Sequence, residues 1–166
     1  MDKNTVRDIE KQVERTIYKA ALALDANDWT AWLELCDGSF NYAITSFSPE
    51  INKDMTYFGG DKKELTGLME MLPKHNTDHS PLHRHTTVYT VDVSKDGKSA
   101  EAISSVAIYQ NMLDGINSHL DSGESRLFVI GKYHDRFLIN NSLPKFANRE
   151  TKIDNRRLDK GSHWPL

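Results

Sequence analysis

Four histidines, His75, His79, His83 and His85, fall within eleven residues and have Asp78 among them. Two imidazoles and a carboxylate can hold ferrous iron or zinc and leave coordination positions open for a substrate. Pro73 and Pro81 flank His75 and His79, so no helix sets those two on one face. Histidine density alone is a weak motif. His75 and His79 stand as the alternative metal ligands, against an expectation that this chain holds no metal. His83 and His85 alternate with Arg84 and are followed at period two by Thr87, Tyr89 and Val91, so they share one face of a strand. There they read first as strand histidines hydrogen-bonded near a sheet end. The alternative is proton transfer in a pocket, with His83 or His85 beside Asp28, Tyr42 or Tyr89, because imidazole changes charge near neutral pH.

Other reactive groups carry less. Cys36 follows Leu35 on the apolar side of a helical pattern, where a buried thiol is the ordinary outcome. Ser104 and Ser105 lie within a strand pattern that lacks the glycines of a nucleophile elbow. Gly59-Gly60 precedes a helix, yet two glycines do not make a phosphate loop. No catalytic residue is therefore expected beyond the alternative set of His83, His85, Asp28 and Tyr42.

The elements that position these groups read in two halves. Val6, Ile9, Val13, Ile17, Ala20, Ala21 and Leu24 recur at helical spacing, and Thr5 with Asp8 suggests the capped start. Asn27-Asp28 breaks that helix and caps a short second one carrying Trp29, Trp32, Leu33 and Cys36, which Asp37-Gly38 stops. Ser39 to Thr45 alternates as a strand. Residues 46–58 show turn residues and no period, after which Asp61 and Glu64 cap a third helix with Leu65, Leu68, Met69 and Leu72. From Leu82 onward the period changes to two. Leu82 to Val93, Ser99 to Met112, Arg126 to Tyr133 and Phe137 to Ile153 read as strands, the last interrupted near Pro144. Asp96-Gly97 marks one hairpin, and His134-Asp135-Arg136 is expected to form another tight connection. Helices followed by antiparallel strands predict an α+β domain with a curved sheet wrapped around helices. No internal repeat or linker divides the chain, so one domain spanning 1–166 is expected.

Composition narrows the function classes. The 166 residues suffice for one domain with a core, and a formal net charge of -3 with mixed signs offers no basic footprint for nucleic acid. No apolar run approaches the ~20 residues that span a bilayer, and the first residues lack the apolar stretch of a secretory signal. A cytoplasmic protein bound neither to membrane nor to nucleic acid is expected. One cysteine excludes an internal disulfide and a multi-cysteine metal site.

The last third is the most distinctive: GKYHDRF, then FANRETKID, then a tail closing on Trp164-Pro165-Leu166. Leu24-Asp25, Trp32-Leu33 and Tyr42 come before it, followed by MTYFGGDKKELTGLMEML and by a strand bearing Arg84 and His85. In this order and spacing the chain resembles, over nearly its whole length, the small (β) subunits of Rieske-type ring-hydroxylating oxygenases. It departs from many of them where Ala43-Ile44-Thr45-Ser46 lacks a proline and an arginine, and in its Trp-Pro-Leu ending. Those departures suggest a divergent branch acting on a small non-aromatic substrate, such as the methanesulfonate monooxygenase branch.

The resemblance implies a cystatin-like or NTF2-like cone, with the sheet curved around three N-terminal helices. It further implies a homotrimer of this chain within an α3β3 hexamer. A catalytic α subunit would carry the Rieske [2Fe-2S] cluster and the mononuclear iron. A Rieske cluster takes two cysteines and two histidines, so a chain with one cysteine cannot be the redox subunit. Arg126, Arg149 and Asp154, with Trp164, Pro165 and Leu166 as an apolar tip, are the residues expected at subunit interfaces. A stand-alone isomerase or dehydratase, or a small-molecule-binding module of the same fold, is the alternative function.

Overall fold

The computed structural model describes residues 2–74, 80–113, 122–141, 143–156, 158 and 165–166. Helix α1 (Lys3–Asp25) buries Ile9, Val13, Ile17, Ala20, Ala21 and Leu24, the stripe expected from the periodicity. Each of the buried isoleucine, valine and leucine side chains taken from water stabilises the fold by roughly 1.5–3 kcal/mol, which outweighs the absence of a side-chain cap at Asp2. Thr5 and Asp8 thus lie inside the helix rather than at its start. Asn27 adopts a positive φ of 55°, and Asp28 accepts the Ala31 amide at 3.0 Å to start α2 (Trp29–Glu34).

Strand β1 (Cys36–Ser48) begins at the cysteine that the helical pattern appeared to include, and runs three residues past Thr45. It turns through residues 49–52 into β2 (Lys53–Asp61). That strand was not expected. Most of its residues are exposed on both faces, so it shows no alternation to read, and Gly59 and Gly60 fall within it. Helix α3 (Lys62–Met71) starts on the foreseen capping box: the Asp61 carboxylate accepts the Glu64 amide at 2.8 Å, and the Glu64 carboxylate accepts the Asp61 amide at 2.9 Å.

Strands β3 (Leu82–Val93) and β4 (Ser99–Asn111) form the expected hairpin, with Gly97 at φ 70°. The next connection differs from expectation. Strand β5 (Ser125–Asn140) passes unbroken through His134, Asp135 and Arg136, and the turn comes only at Asn141, before β6 (Leu143–Ile153). Polar residues mimicked a turn there because Asp135 is buried and paired, a situation that local composition does not announce.

The six strands form one curved, unclosed sheet in the order β2-β1-β6-β5-β4-β3. All neighbours are antiparallel except β1 and β6, which run parallel. Helix α1 packs against β3 and β6 inside the curve, and α3 lies against β1 and β2. Trp32 meets Phe40 and Tyr42 edge-on, both with ring centroids 6.0 Å away, joining α2 to the core. No described helix is long and apolar enough to cross a membrane.

Candidate functional site

Strand alternation divides the chemistry-bearing residues between two faces. On β3, Arg84 points inward and is buried, whereas His83 and His85 point outward and are exposed. Tyr42 points inward from β1, with three strands between it and β3, and is buried. Asp28 is exposed and occupied in capping α2. Tyr89 is exposed as well. The fold therefore does not gather His83, His85, Asp28 and Tyr42 into one pocket. His75, His79 and Asp78 lie outside the described residues. Among the described residues no group of three or more His, Cys, Asp or Glu side chains is placed to hold a metal ion.

The inward face carries a buried polar seam. Arg149 on β6 donates from Nε and Nη2 to the two carboxylate oxygens of Asp135 on β5, at 2.8 and 2.7 Å. These residues are register partners on adjacent strands, so the fork geometry follows from the pairing. The guanidinium stacks on the rings of Tyr133 and Phe146, 4.1 and 4.5 Å from their centroids. Arg149, expected at a subunit interface, is thus enclosed in the chain's own core with 1% side-chain exposure. Burial pushes the Tyr42 hydroxyl up to about 12, offset in part by Thr151. Burial likewise raises Tyr133 and pushes the Cys36 thiol up to about 12. A cysteine so protonated is a structural thiol, not a nucleophile.

A second ion pair closes the seam. Asp25, the last residue of α1, accepts Arg84 Nη1 at 2.7 Å and also the Arg84 backbone amide at 3.1 Å. The other terminal nitrogen, Nη2, donates to the Pro165 carbonyl at 2.6 Å. The Leu166 amide donates to the Tyr42 hydroxyl at 2.8 Å, and its side chain is fully buried in the core. Pro165 and Leu166 therefore pack at home. Trp164 lies outside the described residues. The sequence placed Asp25, Arg84 and Tyr42 in a family pattern but gave no sign that they converge on the tail.

The outward face has a different character. His83, His85, Ala107, Tyr109, Asn111 and Ser125 line an open groove of about 610 Å³, with small Ala107 between the larger side chains. His85 and Tyr109 meet edge-on at 5.4 Å. Register carries this surface sideways: Tyr109 pairs with Leu127 and Ala107 with Ile130. Leu127 and Ile130 are exposed, as is Phe47 at the same end of β1. Arg126 and Asp154 are exposed on this border, Arg126 bonded to Glu124 at 2.8 Å and Asp154 at 3.8 Å from Lys132. This face mixes exposed apolar side chains with the polar His83, His85, Asn111 and Ser125, and its margins are charged.

No family model matches the chain. It is 54% identical over 166 residues to the methanesulfonate monooxygenase hydroxylase subunit beta of Methylosulfonomonas methylovora, covering 100% of this chain and 92% of that one. It is 31% identical over 150 residues to the 2-aminobenzenesulfonate 2,3-dioxygenase subunit beta of an Alcaligenes species, covering 90% and 94%. Among solved structures it resembles the beta subunit assigned to an aromatic-ring-hydroxylating dioxygenase of Novosphingobium aromaticivorans. That match has a TM-score of 0.71 at 20% identity, over 89% of this chain and 90% of the other. A naphthalene 1,2-dioxygenase structure gives 0.69 at 15% identity, over 94% and 84%.

Proposed function

Because the chain belongs to the family of small (β) subunits of ring-hydroxylating oxygenases, we propose that it supports a larger catalytic α subunit in oxidising a short organic sulfonate. The observation that carries this reading is the full-length identity to the methanesulfonate monooxygenase subunit. In the proposed assembly the α subunit holds the Rieske [2Fe-2S] cluster and the mononuclear iron. The donor set of this chain does not fit such a cluster, which takes two cysteines. Its single cysteine is buried, with its thiol pushed up to about 12.

The proposal extends to architecture. The chain acts as one domain, 1–166, forms a homotrimer, and joins three α subunits as a cytoplasmic α3β3 hexamer. Its contribution is rigidity: the residues behind the family resemblance, Asp25, Trp32, Tyr42, Arg84, Asp135 and Arg149, all serve the packing of the fold. Contact with the α subunit is assigned to the outward face around Ala107, Tyr109, Leu127 and Ile130, bordered by Arg126 and Asp154. Apolar centres with polar rims are the usual anatomy of such contacts.

The stand-alone isomerase or dehydratase reading gains no support, since His83 and His85 face the opposite side of the sheet from Tyr42. The test is sulfonate-dependent oxygen uptake by the α subunit, with its reductase, prepared with and without this chain. Uptake that needs the chain is expected. Full uptake by the α subunit alone would refute the assignment.

A further inference from the structure

Besides the 3.5 Å bond that the Tyr42 hydroxyl donates to the Leu166 carbonyl oxygen, Pro165 and Leu166 make two polar contacts that fall on a single peptide group. Its carbonyl oxygen accepts Arg84 Nη2 at 2.6 Å, and its N–H donates to Tyr42 Oη at 2.8 Å. Arg84 comes from β3, at the edge of the sheet, and Tyr42 from β1, with β6, β5 and β4 between them. In a flat sheet these strands would stand about 19 Å apart, four spacings of roughly 4.8 Å. One amide held from both ends brings the two side-chain tips within about 8 Å. The curl of the sheet supplies the convergence, and the amide spans what remains.

Both reading groups are also held by contacts of their own. Arg84 has 1% side-chain exposure and is aimed by Asp25, which holds its other terminal nitrogen. Tyr42 is 2% exposed, lies in contact with Trp32 and Phe58, and has Thr151 Oγ1 3.5 Å from its hydroxyl. The Leu166 side chain occupies the apolar core beside them. We infer that Arg84, Tyr42 and the surrounding core form a socket for a secondary amide bearing a branched apolar group, occupied in cis by Pro165-Leu166. The ligand class is a short apolar peptide whose carbonyl faces Arg84 and whose N–H faces Tyr42. The cis segment acts as a plug, and any process that withdraws it exposes a site able to take such a peptide in trans.

The probe is N-acetyl-Pro-Leu-amide, added to the chain shortened by residues 165 and 166, which frees Arg84 Nη2, the Tyr42 hydroxyl and the apolar part of the socket together. Calorimetric titration and melting temperature are the readouts. Saturable binding that raises the melting temperature is expected, weakened about fivefold or more when Tyr42→Phe is added. The unaltered chain, plugged in cis, is expected to show no shift. Absence of saturable binding to the shortened chain, binding indifferent to Tyr42→Phe, or equal binding to the unaltered chain would each overturn the inference. Should the shortened chain fail to fold alone, refolding it with and without N-acetyl-Pro-Leu-amide decides. Recovery of folded chain that depends on the peptide supports the socket, and no recovery at saturating peptide overturns it.

Discussion

Arg149 and Asp135 form a two-pronged ion pair across adjacent strands, 2.8 and 2.7 Å long, with side chains 1% and 0% exposed. Such a pair has a cost that partnership offsets: two charges leave water, and their mutual attraction with good geometry compensates. Removing one partner leaves the other charged and enclosed. Arg149→Met or Asp135→Asn alone should therefore destabilise the chain by about 3–5 kcal/mol, whereas Arg149→Met with Asp135→Leu should recover much of the loss. Urea unfolding of the two single variants and the double variant checks this. Additive losses would show that the pair is not the unit of stability.

Gly131 is needed for space, not for turn geometry. It lies within β5 opposite Ile153, where a Cβ would run into the Lys152 carbonyl oxygen and crowd the Ile153 backbone. Gly131→Ala must push β5 and β6 apart where Gly131 faces Ile153. A loss of about 2 kcal/mol or more is expected by chemical denaturation.

Alkali should unfold the protein earlier than ordinary surface chemistry suggests. Burial raises Cys36 from 9.0 to about 12 and Tyr42 from 10.0 to about 12, and raises Tyr133 in the same direction. Groups whose folded values are raised give stability that is fully present below their unfolded values. Above pH 9.0 the unfolded chain releases protons that the folded chain retains, so stability falls from there to about pH 12. The combined loss is on the order of a few kcal/mol. Melting temperatures between pH 7 and pH 12 should be level at first and then decline. Cys36→Ala should remove the earliest part of that decline.

The capping box at α3 gives a smaller, local effect. Asp61→Ala removes the acceptor of the Glu64 amide and should cost about 1 kcal/mol. Thermal unfolding of this variant beside Glu64→Ala tests whether the two caps act together.

Ala107 offers a variant that separates folding from assembly. It lies on the outward face at the floor of the groove, away from the core. Ala107→Arg should change stability by no more than about 0.5 kcal/mol, the usual range for a surface site. The same change places a long cation where an apolar side chain of the α subunit is proposed to insert. Loss of co-purification with an unaltered melting temperature is expected. A drop in melting temperature that accounts for the lost complex would contradict the assignment of this face.

The sequence announced regular elements wherever one face is buried and the other wet. Helix α1, the β3–β4 hairpin and the Asp61–Glu64 cap were legible for that reason. Strand β2 was not, because exposure on both faces erases alternation. Asp135 misled in the opposite way: a polar trio inside a strand looks like a turn unless the distant Arg149 is known to meet it. The site was legible only in part. Strand parity correctly paired His83 with His85 on one face, but parity does not say which face is inside, and that decides against their joining Tyr42. The convergence of Asp25, Arg84, Tyr42 and Pro165-Leu166 depends on the curl of the whole sheet, which no local pattern encodes.

The most direct measurement is native mass spectrometry of this chain co-expressed with its α subunit, with iron counted in the same sample. A complex with equal numbers of both chains, and iron only when the α subunit is present, is the predicted result. Two separate species at micromolar concentration, with the α subunit fully assembled and iron-loaded on its own, would contradict the β-subunit assignment.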